Sequence, residues 1–154
     1  METSIKVTNV KRAMQQLNKL GKAMELPFVE IIKGGAQFIR GEAIRSIHND
    51  PKTGRVYEKY NPRRTHTASA PGESPASDTG NLVRNIKVKQ KSKNVIAVES
   101  TADYSAFLEY GTSKMQARPF LFPAFEKSKP KITKVVFERT VRKIKELVRW
   151  VNIV

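Results

Sequence analysis

Between Tyr104 and Phe125 the chain reads Tyr-Ser-Ala-Phe-Leu-Glu-Tyr-Gly-Thr-Ser-Lys-Met-Gln-Ala-Arg-Pro-Phe-Leu-Phe-Pro-Ala-Phe, and no other stretch limits its fold so tightly. Four of the seven Phe and two of the four Tyr lie here, so the material for burial is concentrated where Pro119 and Pro123 fix the backbone. Tyr104, Phe107 and Leu108 stand at one-turn spacing and predict a short helix, with Gly111 placed to end it in a left-handed cap. Arg118-Pro119 demands an extended approach, and Pro123 suits the first turn of the next helix. Phe120, Phe122 and Phe125 then point into the interior or into a neighbouring chain.

The chain on either side has room for one core. At 154 residues and 39% apolar it is the size of a single domain spanning 1–154. Val10, Met14, Leu17 and Leu20 or Gly21 follow a helical period up to Met24, and after Pro27 a second helix is expected from Phe28 to His48. Gly34, Gly35 and Gly41 fall inside it. Gly34 and Gly41 share a face that could admit another backbone closely, or Gly34-Gly35 could mark a kink, and both readings stay open.

Residues 49–80 show no sustained period and are rich in Pro, Ser, Thr and basic side chains. They predict a long loop or arm, with a turn at Asp50-Pro51-Lys52-Thr53-Gly54 between short strands at His48 and Val56-Tyr57. Its composition suits an arm reaching a neighbour and a surface insertion alike. Leu82, Ile86 and Val88, then Val95 to Val98 after a polar turn, predict a β-hairpin with one apolar face. A third strand is expected through Lys114 to Arg118. Lys87, Lys89, Lys91 and Lys93 form a one-sign row on the hairpin's outer face and turn, which either protects a strand edge or faces a polyanion.

From Pro130 onward Phe137, Val141, Ile144, Val148 and Val151, widened by Ile132, Val136 and Leu147, form a stripe expected to lie on the sheet. Trp150 would anchor that helix in the core or at a subunit contact. The expected class is therefore α+β: N-terminal helices, a small antiparallel sheet (a hairpin plus a third strand), a short middle helix and a long C-terminal helix packed on the sheet.

Two blocks carry a family resemblance. Ala70-Pro71-Gly72-Glu73-Ser74-Pro75 with Thr79-Gly80-Asn81-Leu82, followed by Glu-Tyr-Gly-Thr and Arg-Pro-Phe-Leu-x-Pro-Ala-Phe, resemble in order and spacing the small tail-component proteins of tailed bacteriophages. These proteins complete the tail or join head to tail at the neck. The resemblance covers roughly positions 70 to 125. It implies a structural virion protein in the neck or tail, made in the host bacterial cytoplasm. Its expected partners are further copies in a closed ring, six being the expected number, together with the tail tube and connector or neck proteins, and DNA passing non-specifically.

Within such a ring, Pro71, Tyr104, Phe107, Tyr110, Arg118, Phe120 and Trp150 are the candidate subunit-interface residues. Arg63, Arg64, Lys87, Lys89, Lys91 and Lys93 are the candidates for facing the DNA channel. A formal charge of +15 supports a polyanionic neighbourhood without naming one. A non-specific nucleic-acid-binding protein is the alternative that charge alone would favour.

Catalytic patterns are not found. With no Cys, and with His48 and His66 eighteen apart, no metal or cofactor is expected. No phosphate loop, nucleophile elbow or dinucleotide fingerprint is present. Glu99, Asp103 and Glu109 are the only carboxylates worth weighing as an acid and base pair, and Glu109 is better explained as a hydrogen-bonding or ion-pairing partner, with Arg118 the nearest candidate. No apolar signal core or membrane-length segment appears, so a soluble protein is expected.

Overall fold

The computed structural model describes residues 10–60 and 62–151. In chain order the elements are α1 (Val10–Asn49), β1 (Val56–Tyr60), β2 (Arg63–Thr67), α2 (Asn81–Asn85), β3 (Ile86–Ser92), β4 (Val95–Ser100), α3 (Ser105–Tyr110) and α4 (Leu121–Val151). The class is α+β as expected, with two separate antiparallel hairpins, β1-β2 and β3-β4.

The two helices expected on either side of Pro27 are one helix of 40 residues. An internal Pro forfeits a hydrogen bond and costs about 3 kcal/mol, but Met24, Pro27, Phe28 and Val29 are all partly buried, and that packing outweighs local propensity. Gly34-Gly35 likewise interrupts nothing.

Helix α4 runs back along α1. Lys127 Nζ meets Glu42 Oε1 at 2.7 Å, Lys131 sits 4.7 Å from the Phe38 ring centre, Gly35 faces Ile132 and Val136, and Gly34 faces Arg139. As α1 numbers fall, α4 numbers rise, so the pair is antiparallel. The close approach is made at Gly35, where a Cβ would lie 2.9 Å from Ile132 Cγ2, whereas a Cβ at Gly41 would meet nothing within 4 Å. The expected Gly34 and Gly41 face is therefore not the contact.

The expected burial of α4 is corrected in two ways. Packing on the sheet holds for its first turn, where Phe120, Leu121 and Ala124 join the core, and the rest of the helix lies on α1. Ala124 and Ser128 are buried and Ile132, Val136, Val141 and Leu147 half-buried, while Phe137 is 68% exposed and Ile144 and Val148 are also exposed. α4 thus carries two apolar stripes, of which α1 covers one.

The core is small. Ala43 and Ile47 of α1, Leu82 of α2, Ile86 of β3, Ala102, Phe120 and Ala124 form it, flanked by Ile44, Val83, Val98, Leu108 and Leu121. Arg40 Nε donates to the Ile86 carbonyl at 2.7 Å, tying the start of β3 to α1. The β3-β4 register pairs Ile86 with Ser100 and Val88 with Val98, so Ile86, Val88, Val98 and Ile96 share the inner face. Leu82 belongs to the short helix α2 rather than to the strand. The third strand expected at Lys114 to Arg118 does not form; Thr112 and Met115 make a single bridge that closes a tight turn.

Residues 49–80 hold more order than their composition predicts. His48 lies in the last turn of α1, and the hairpin lies further on, β1 pairing with β2 from Val56↔Thr67 to Tyr60↔Arg63. It leaves the body as a two-stranded arm.

Filling the two helix positions should give opposite results in urea unfolding. Gly35→Val should destabilise by about 1–3 kcal/mol, because the β-branched Ile132 has little freedom to retreat. Gly41→Ala should stabilise by about 0.5–1 kcal/mol through helix propensity alone.

Candidate functional site

The aromatic corner is held by one carboxylate. Glu109, in the last turn of α3, accepts the backbone N–H of Phe120 (2.9 Å), Leu121 (3.0 Å) and Phe122 (2.8 Å). A helix begins with four N–H groups that have no partner inside it, and here the fourth position is Pro123, which has none to satisfy. All four are accounted for, and a negative charge sits where the helix dipole favours it.

Glu109 does not pair with Arg118. Arg118 Nε instead donates to the Ser69 carbonyl at 3.1 Å, and its backbone N–H to the Leu108 carbonyl at 2.6 Å. The chain turns between Glu109 and Arg118 through Gly111, at φ 76° and ψ −175°, a region essentially open only to glycine. A Cβ there would sit 2.8 Å from Met115 O and 2.9 Å from Ala117 N.

The two sequence blocks meet at this corner. Gly72 N–H donates to Ala117 O at 2.9 Å, beside the Arg118 contact to Ser69, and Asn81 Nδ2 reaches the Tyr104 hydroxyl at 3.3 Å. Glu73 clasps the loop by accepting from Thr53 N (3.0 Å) and Ala70 N (2.8 Å) and from the Thr53 hydroxyl. These hydrogen bonds, the Thr53 hydroxyl first, hold its carboxyl below the usual range. The arm is anchored by Asp78, which takes Lys59 and Arg64 together. Its pKa is lowered chiefly by the Lys59 hydrogen bond.

Around this frame the apolar surface is open. Tyr104, Phe107 and Tyr110 follow one face of α3 and are 41%, 54% and 84% exposed. Phe120 is buried in the core, so it supports this face from beneath, while Phe122 and Phe125 are exposed. Pro71 is exposed and Arg118 half-buried; the Trp150 side chain lies outside those described. Beside Tyr110, a cleft of about 440 Å³ opens between α1, β4 and α4, lined by Ile39, Ile96, Phe122, Phe125 and Val136 among others. Sequence reasoning did not single out this cleft or the arm's exposed Val56 and Tyr60. Its only available signal was a surplus of apolar residues over what one small core can take.

The lysine row is partly neutralised. Lys89 and Lys91 both bind Glu99, at 2.5 and 2.6 Å, and Lys93 binds Glu25 at 2.8 Å. The two lysines, hydrogen bonds first, pull the Glu99 carboxyl down to about 2. Of the six candidate channel cations, Lys87 and Arg63 have no acidic partner among the described residues. Further positive charge lies on the helices: residues 10–24 carry four Lys or Arg and no acid, and residues 131–151 seven against two. The three weighed carboxylates are engaged separately, Glu99 by lysines and Glu109 by amides, with Asp103 exposed. Among the described residues there is no His, Asp or Glu cluster able to hold a metal, and no helix long and apolar enough to cross a membrane.

A family model described as "Bacteriophage HK97-gp10, putative tail-component" matches residues 11–111, well over half the chain. The chain belongs to the HK97-gp10-like family. Membership gives it a structural role in a phage tail and a place in the virion. The match runs from α1 through α3, so it includes Glu109 and Gly111 but stops before the amides that Glu109 caps. No curated protein and no solved structure matches the chain.

Glu109→Ala should destabilise the fold by about 2–4 kcal/mol in urea, since three N–H groups at the start of α4, those of Phe120 and Leu121 partly buried, lose a charged acceptor at once. Gly111→Ala should cost at least as much. The arm should respond to acid. The lowered Asp78 pKa means its ion pairs are fully present above the ordinary value of 3.8 and are lost as pH falls through the lower folded value. In an acid titration followed by NMR, β1-β2 amide shifts should therefore move while those of Ile47 and Ile86 hold.

Proposed function

We propose that this HK97-gp10-like tail component acts at the neck or at the head-proximal end of the tail, as a closed ring around the DNA channel that completes the tail or joins it to the head. The observation that carries this reading is unpartnered surface. Tyr60, Tyr104, Phe107, Tyr110, Phe122 and Phe137 are all exposed, Tyr110 at 84% and Tyr60 at 77%. Apolar surface of this kind is what a subunit contact of standard size, about 800 Å² per partner, would cover. A ring closes by one patch meeting a different patch on the next copy, and six copies is the expected closure.

In this reading Tyr104, Phe107 and Tyr110, with Pro71 and Arg118 beside them and Phe120 beneath, belong to the subunit contact, and Trp150 is carried with them. The outer face of β3-β4 turns to the channel. Lys87, Lys89 and Lys91 opposed by Glu99 make a face of modest positive charge, suited to a conduit that passes DNA without gripping it. Arg63 and Arg64 of the β1-β2 arm and Lys93 of the β3-β4 turn are assigned to the channel with it. The partners are then the tail tube, the connector and DNA in transit.

Native mass spectrometry of the purified chain tests the ring: one closed oligomer is expected, and a monomer at all concentrations overturns it. In the assembled protein, Glu99→Gln should tighten DNA retention at low salt and steepen its salt dependence by one to two phosphate contacts, each about −0.9 in log–log slope. An unchanged slope removes β3-β4 from the channel.

A further inference from the structure

The β1-β2 arm is an incomplete structure. Two strands alone are marginal in water, and β1 and β2 pack mainly on each other. Side chains alternate, so Tyr57, Lys59, Arg64 and His66 share the face anchored by Asp78, while Val56, Glu58, Tyr60, Arg63 and Thr65 share the other. That second face is largely open, with Val56 57% and Tyr60 77% exposed.

The cleft beside Tyr110 is the complementary case. Its volume would suit a small molecule, but such sites need polar groups that converge on the ligand. Its single carboxylate, Glu109, has both oxygens turned to the α4 amides, and the rest of the lining is apolar apart from the Tyr110 hydroxyl. An apolar protein surface is the occupant it fits. The hollow between the arm's anchored face and α3 is lined by His66, Asp78 and Leu108, and the cleft by Tyr110 at the end of α3, so the arm's open face and the cleft are separate patches. Two different patches are what a head-to-tail contact requires.

We propose that the β1-β2 arm of one copy lays its Val56 and Tyr60 face into the cleft bounded by Ile39, Ile96, Tyr110, Phe122 and Phe125 of the next copy. The inference rests on the ring reading and names the segment that makes its contact. Docking supplies the third layer that the hairpin lacks and covers two phenylalanines that no element of the same chain covers.

The chain has no cysteine, which makes the test direct. Glu58→Cys and Tyr110→Cys chains, each carrying one thiol, are mixed at assembling concentration and oxidised. Disulfide-linked pairs containing one of each chain are expected, in excess over like pairs. In parallel, Tyr60→Asp should weaken self-association at least tenfold while changing the circular-dichroism melt of the dilute chain little, because the side chain is 77% exposed and its partner in its own chain is Glu58, at 3.4 Å from its hydroxyl. Assembly with no mixed pairs, or with Tyr60→Asp assembling normally, overturns the arm contact and leaves the ring standing. A wild-type chain that stays monomeric overturns both.

Discussion

Everything at the aromatic corner depends on the Glu109 carboxylate at the start of α4. A 31-residue helix beginning at a partly buried corner brings four unsatisfied donors with it, and burying even one costs about 1–3 kcal/mol. Three amides converge on Glu109 and proline removes the fourth. The cap also fixes direction: with the N–H groups of Phe120, Leu121 and Phe122 held together, Phe120 must enter the core and Phe122 must leave it. Gly111 is the counterpart. Only a residue without Cβ lets the chain double back tightly enough, past Met115 and Ala117, to bring position 120 onto the helix that ends at 110.

That corner was legible because its chemistry is local. Helix α3, its glycine end, the proline in the first turn of α4 and the β3-β4 hairpin all follow from residues a few positions apart. Glu109 was recognisable as a polar partner, but its partners were not, since an arginine nine residues away looks as good as three amides until the turn between them is known. The unbroken α1 was not legible either. Pro27 is a strong local signal, and only packing that spans the helix overrules it. For α4 the difficulty was different: two apolar stripes run along one helix, and periodicity cannot say which one a neighbouring helix will cover. Gly35 marks the covered one, because the close approach made there meets Ile132 and Val136.

The charges follow the same division. A row of lysines at period 2 reads as a positive wall, yet Glu99, opposite Lys87 in the register, takes Lys89 and Lys91 instead. Cross-strand diagonals of this kind appear only once the pairing is known. Further positive charge lies at one end of the antiparallel helices, in residues 10–24 and 131–151. Like charges so placed repel, and the repulsion is least costly where the helices are exposed and water and salt screen it.

A protein with so few fully buried side chains and so much open aromatic surface is poorly explained as a finished monomer. Evolving a larger core would be the usual remedy for a two-stranded arm and a half-covered helix, and this chain has apolar residues enough for one: Val56, Tyr60, Phe107, Phe122 and Phe137 are all on the surface. Their placement is orderly, along one face of α3, one stripe of α4 and one face of the arm. Random exposure would scatter them, and a small-molecule site would gather them around free polar groups. Apolar faces laid out in lines have the form that repeated contact between identical folded bodies would use, which is what the proposed ring needs.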